Sequence, residues 1–234
     1  MRPWLSAALA GFAALSCSTT DATSPPDLTP VAITSGVPVV LTGASSSVRN
    51  FTIVVPAGTS RLLVTLSGGT GDADVFVNPA LITDRFSAEC SSTSTTSTEE
   101  CEIDLPAAAT WHVQVYGFGS YSDVTLTVTA EPVVALTSGA SVSISGASGS
   151  VRHFSVTVPA GATNLTVATT GGTGDPDLRI RFNAHPTDTT SDCSSANFGS
   201  DDSCDIAGPS SGTWYIRVSG FTSYANVSLT ATVN

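Results

Sequence analysis

Apolar residues in this chain recur at every second position in short runs, and helical spacing is missing throughout. Phe51–Val55 and Leu62–Leu66 are runs of aliphatic and β-branched residues, closed by Pro-Ala-Gly and Gly-Gly-Thr-Gly turn signals. Trp111–Val115 and Val124–Thr129 alternate strictly, and Trp214–Val218 and Val227–Thr232 repeat the pattern further on. Such runs predict β-strands with one face buried, and seven or eight of them fit into roughly 100 residues.

The same blocks occur twice at an ungapped offset of 103 residues. Val48-Arg-Asn-Phe51 returns as Val151-Arg-His-Phe154, and Val55-Pro-Ala-Gly58 as Val158-Pro-Ala-Gly161. Gly68-Gly-Thr-Gly-Asp-Ala-Asp74 returns as Gly171-Gly-Thr-Gly-Asp-Pro-Asp177, and Gly117-Phe-Gly-Ser-Tyr121 as Gly220-Phe-Thr-Ser-Tyr224. Residues 31–131 and 134–234 share about 43 identities in 101 positions. A period this long marks two whole domains, since solenoid repeats run to about 20–50 residues. The fold expected is all-β: two tandem antiparallel β-sandwiches of jelly-roll type, at 31–131 and 134–234.

The beginning reads differently. Residues 1–17 carry one charge at Arg2, an apolar run from Trp4 to Leu15 and then small residues, the pattern of a signal peptide. The run is too short to cross a bilayer as a helix. Ala14-Leu-Ser-Cys17 resembles a bacterial lipobox, with Ala14 where Leu is usual, so Cys17 is the expected lipidation site. The alternative is ordinary cleavage near Ser16–Thr19 and free secretion. Residues 18–30, with three prolines and no apolar periodicity, read as a flexible tether. The protein is therefore expected in the cell envelope or outside the cell, touching membrane only through a lipid anchor.

Cysteine use agrees with export. Apart from Cys17 there are two cysteines in each repeat, Cys90 and Cys101, then Cys193 and Cys204. Four cysteines allow three pairings, and repeat symmetry favours one bridge within each domain. No Cys-x-x-Cys pair or nearby histidine argues for zinc instead.

Charge narrows the partners. Nineteen acidic residues oppose eight basic ones, for a net charge of −11, and every basic residue is arginine. Nucleic acid is not an expected partner, and lysine-dependent catalysis has no side chain to use.

Taken together, the blocks Val-Arg-x-Phe, Val-Pro-Ala-Gly, Gly-Gly-Thr-Gly-Asp-x-Asp, Cys…Cys, Thr-Trp and Gly-Phe-x-Ser-Tyr resemble the bacterial pre-peptidase C-terminal domain, in two copies. The resemblance implies a β-sandwich of the kind found behind the catalytic domains of secreted peptidases. Related collagenase domains bind collagen and calcium. The signal and tether readings take up residues 1–30, so what the resemblance implies here is expected to be binding without catalysis.

The chemistry-bearing residues support that reading. The chain has no His-Glu-x-x-His helix, no Gly-x-Ser-x-Gly elbow and no phosphate loop. The histidines, His112, His153 and His185, are not duplicated between the repeats, and read as strand or surface residues. Asp72 with Asp74, and Asp175 with Asp177, are the candidate ligands for calcium; the competing reading makes them turn-forming side chains. Phe118 and Tyr121, with Phe221 and Tyr224, are the candidate ligand-binding aromatics. Trp111 and Trp214 are assigned to the cores. Arg49 and Arg152 are expected to pair with Asp72 and Asp175, and the Ser91–Glu100 run reads as a solvated loop. The expectation is a non-catalytic accessory or binding protein engaging extracellular protein or polysaccharide. The competing class is a structural envelope component without a discrete ligand.

Overall fold

Each alternating run becomes a strand whose apolar side faces inward. A computed structural model describes residues 29–234. The signal segment with Cys17, and residues 18–28 of the tether, lie outside the described residues. In the first repeat the strands are β1 (Val31–Ala32), β2 (Val39–Gly43), β3 (Val48–Val55), β4 (Thr59–Ser67), β5 (Thr70–Asn78), β6 (Cys90–Ser92), β7 (Glu99–Asp104) and β8 (Ala109–Pro132). The second repeat contains β9 (Val134–Ala135), β10 (Ser141–Gly146), β11 (Val151–Val158), β12 (Asn164–Thr170), β13 (Pro176–Phe182), β14 (Cys193–Ser195), β15 (Asp202–Ala207), β16 (Gly212–Gly220) and β17 (Tyr224–Val233).

The pairing gives a jelly roll in each repeat. In the second, one sheet runs β10-β17-β12-β15 and the other β14-β13-β16-β11-β9. Counting β10 to β17 as strands one to eight, these are the orders 1-8-3-6 and 5-4-7-2, two interlocked Greek keys. The first repeat makes the same two sheets, but its long β8 serves both: residues 109–117 lie between β3 and β5, and residues from 121 onward lie between β2 and β4. All pairings are antiparallel except the two-residue edge strands β1 and β9, which run parallel to β3 and β11.

Each repeat buries its own core. Phe51, Ile53, Leu62, Leu66, Val113 and Leu126 fill the first, and Phe154, Val156, Leu165, Ile180, Ile216 and Leu229 the second. Trp111 and Trp214 are buried in these cores, and each indole N–H is satisfied by a carbonyl four residues back, Ala107 at 2.9 Å and Ser210 at 3.0 Å. The disulfides Cys90–Cys101 and Cys193–Cys204 join β6 to β7 and β14 to β15. Those strands are edges of opposite sheets, so each bridge closes the open side of a sandwich.

Candidate functional site

The Gly-Gly-Thr-Gly run does more than turn the chain. Thr70–Asp74 already belongs to β5, which passes directly over the corner of β8. A Cβ on Gly69 would stand 2.2 Å from Ser122 O, and one on Gly71 2.1 Å from Ser120 O. Gly172 and Gly174 meet the same obstruction at Ala225 O and Ser223 O. Close backbone approach accounts for these glycines in both repeats without a metal. A β-bulge between Gly71 and Ala73 then delivers Asp72 and Asp74 to the outer face of the sheet, while Ala73, Val75 and Val77 go to the core.

On that face of the first repeat lies an open groove of about 570 Å³. Asp72, Asp74, Arg85, Phe86, Tyr116 and Phe118 line it, with hydroxyls of Ser91 and Thr93–Thr95 along the disulfide loop. The segment between β5 and β6, which includes one 3-10 turn at Arg85–Ser87, folds over the sheet and forms one wall. Its Arg85 guanidinium lies 3.6 Å from the Tyr116 ring centroid and 5.8 Å from that of Phe76. Phe86 and Phe118, 98% and 69% exposed, stand at the rim. The Phe118 turn is held by Ser45 Oγ donating to Phe118 O at 3.0 Å, a bond repeated by Ser148 to Phe221 O at 3.1 Å.

Asp74 is 5% exposed and has no hydrogen-bond partner. Burial, with repulsion from Asp72 and Glu99, pushes its carboxyl up to about 6 against the partial offset of Arg85. The buried Oδ1 of Asp72 is also unpartnered. Glu99, by contrast, is buried and fully employed: it accepts from Ser92 Oγ and, at 2.7 Å, from the Ser94 N–H. In the second repeat Asp202 Oδ1 takes this part, accepting from Ser195 Oγ and Asn197 N–H, while its buried Oδ2 has no partner. The Ser91–Glu100 segment is thus organised around a buried carboxylate, which corrects its reading as a merely solvated loop.

Two aromatic assignments also change. Tyr121 and Tyr224 are 3% exposed and belong to the cores, so they are not surface anchors. Each ring packs against a strand glycine, Gly43 or Gly146, where a Cβ would fall 2.6 Å from the ring. Phe118 and Phe221 keep the exposed position expected of them. Arg49 and Arg152 form no ion pair with Asp72 and Asp175. Arg49 sits opposite Val115 in the core-facing row of β3, whereas Asp72 and Asp74 lie on the groove face.

The second repeat rebuilds this face with charge. Phe76 and Gln114 are replaced by Arg179 and Arg217, cross-strand neighbours on β13 and β16. Asp188 replaces Arg85 and lies 2.6 Å from Arg217 Nη1 and 3.9 Å from Arg179 Nη1. Asp177 is pushed up by burial, with Arg179 pulling against it. The two arginines and Asp188 were missed from sequence; the gain of charge at Phe76 and Gln114 and its reversal at Arg85 are the signal that marks them.

The calcium expectation can be tested against the donor set. Among the described residues, no group of three or more His, Cys, Asp or Glu side chains is placed to hold a metal.

Two jelly rolls, each with an outer face shaped by a loop, define a class of tandem β-sandwich modules. The chain belongs to the family described as the bacterial pre-peptidase C-terminal domain, whose model matches residues 47–117 and 150–220. It is similar to the alkaline serine exoprotease A of Vibrio alginolyticus, 40% identical over 104 residues, covering 44% of this chain and 19% of that protein. It is also similar to an extracellular protease of Xanthomonas campestris pv. campestris, 39% identical over 97 residues, covering 41% of this chain and 17% of that protein. The chain thus spans under a fifth of these relatives, and the similarity is confined to the pre-peptidase C-terminal region. Among solved structures, the CUB1-EGF-CUB2 domain of human MASP-1/3 aligns over 85% of this chain and 99% of that one, at 9% identity and a TM-score of 0.29.

Proposed function

We propose that this is an exported, non-catalytic binding protein whose first repeat holds an extracellular polysaccharide. The observation that carries the reading is the open groove between Phe86 and Phe118, floored by hydroxyls and carboxylates. Sugar rings offer apolar faces to exposed aromatic side chains and hydroxyl donors to carboxylates, and the groove presents both kinds of group together. A disulfide within each repeat and a relative named as an extracellular protease support export.

The test is retention of the full mature chain on insoluble polysaccharides, compared with the Phe86→Ala, Phe118→Ala double variant. Retention of the native protein and its loss in a variant of unchanged melting temperature is the expected result. Equal retention of both, or of neither, removes the groove from the account.

We further propose that Cys17 is lipidated and holds the repeats at a membrane surface, on the strength of Ala14-Leu-Ser-Cys17. Fatty-acid labelling of the expressed protein, lost in Cys17→Ser, is the expected outcome; an unlabelled protein in the medium would indicate free secretion.

A further inference from the structure

The two repeats solve one electrostatic problem in different ways. Both deliver a pair of carboxylates, Asp72 and Asp74 or Asp175 and Asp177, beside the buried acid of the disulfide loop, Glu99 or Asp202. A carboxylate taken out of water needs donors or a cation. The second repeat places two cations on its own sheet, Arg179 and Arg217, held by Asp188 beside an Asp177 that is only half-buried. In the first repeat the matched positions are Phe76 and Gln114, and the amide of Gln114 is spent on Asn50 Oδ1 at 3.0 Å.

That leaves Arg85 as the nearby cation in the first repeat, and it stacks on Tyr116 while making no ion pair or hydrogen bond with Asp74. Asp74 is therefore buried, unpartnered and part of the groove wall, with the orphaned Oδ1 of Asp72 next to it. Asp175 Oδ1 and Asp202 Oδ2 are orphaned as well, so the contrast between repeats rests on Asp74 and on the absence of arginines at positions 76 and 114. The site is short of positive charge, and the same groove offers aromatic plates and a row of hydroxyls.

We infer that the groove of the first repeat selects a cationic glycan: a polysaccharide of 2-amino sugars whose free amines are protonated, the ammonium pairing with Asp74 and Asp72 while ring faces rest on Phe118 and Phe86. This rests on the reading that the groove holds a polysaccharide. The net charge of −11 on a chain without lysine favours approach of a polycation over a neutral or acidic polymer. Arg85 opposes the incoming ammonium, so it tempers affinity and keeps Asp74 partly compensated when the groove is empty.

The experiment is calorimetric titration of the full mature chain, at mildly acidic pH where the sugar amines carry protons, with glucosamine oligomers and N-acetylglucosamine oligomers of equal length. The free-amine oligomers should bind about tenfold more tightly or better, the worth of one charge-assisted contact, and should weaken with added salt. Asp74→Asn should remove that preference while the melting curve shows the variant folded, and Arg85→Gln should strengthen free-amine binding several-fold. Equal affinity for the two oligomers would overturn charge selection while leaving a glycan groove in place. Binding to neither oligomer, with no retention on any polysaccharide, would overturn both readings. Asp74-dependent binding of polylysine without glycan binding would overturn the glycan assignment in favour of a protein ligand.

Discussion

His153 Nε2 lies 2.8 Å from Asp104 Oδ1, joining the second repeat to the last residue of β7 in the first. The corresponding residues in the other copies are Asn50 and Ala207, so this pair departs from the duplication where the repeats meet. Nearby, Arg61 donates to Glu131 at 2.8 Å and to Glu102 at 3.1 Å, and Val133 N–H donates to Gly58 O at 3.0 Å. The connection between repeats is therefore an extension of β8 tied back to β4. A double-mutant cycle with Asp104→Ala and His153→Asn should give a coupling of roughly 1 kcal/mol, the scale of a partly buried charged hydrogen bond. Additive melting shifts would show that the contact does not contribute.

His185 predicts acid sensitivity in the second repeat. Its imidazole packs 4.2 Å from the Tyr215 ring and 5.1 Å from that of His153. Burial and then repulsion from His153 push its pKa below the ordinary 6.5, with Asp104 opposing the shift. A histidine depressed in the fold binds fewer protons there than when unfolded, so its contribution to stability is whole above about 6.5 and is lost as pH falls below it. The first repeat has Ile82 at this position, 8% exposed. His185→Ile should accordingly flatten the fall in melting temperature on the acid side; an unchanged pH profile would place the sensitivity elsewhere.

Much of this fold is legible from period-two patterning together with the internal repeat. Trp111 and Trp214 begin alternating strands and are core residues, and the repeat paired the cysteines because each copy had to be self-sufficient. Tyr121 and Tyr224 were less legible, because adjacency to exposed Phe118 and Phe221 says nothing about where β8 turns its corner. That depends on Gly43 and Gly146, distant in sequence, which make room for the rings. The groove wall was hidden for another reason. Residues 78–89 share no identity with 181–192, so the repeat gives no guide where Arg85 and Asp188 diverge.

Tyr121 and Phe118 therefore make a discriminating pair. Phe118 is exposed on a turn, and Phe118→Ala should shift stability by less than about 0.5 kcal/mol while reducing ligand retention. Tyr121 fills the core beside Gly43, and Tyr121→Ala should cost about 3–5 kcal/mol. Denaturant titration of the two variants measures both values. Similar costs would mean that the corner of β8 is not arranged as described.

The carboxylate cluster gives opposite predictions for a metal site and for a groove awaiting a cationic ligand. Asp74 is raised in the fold from 3.8 to about 6, so its ionised form is disfavoured there. The sign follows from proton binding: above about 6 the folded state carries the whole penalty, and it is relieved as pH falls from there toward 3.8. At neutral pH Asp74→Asn removes the unpaired charge and should raise stability by roughly 1–2 kcal/mol, a few degrees for a domain of this size. Millimolar calcium, against chelator, should leave the melting temperature of both proteins unchanged, since no third His, Cys, Asp or Glu side chain is placed with the pair among the described residues. A calcium-dependent rise in the native chain, abolished by Asp74→Asn, would instead establish a cation site and displace the account of Asp74 as an uncompensated charge.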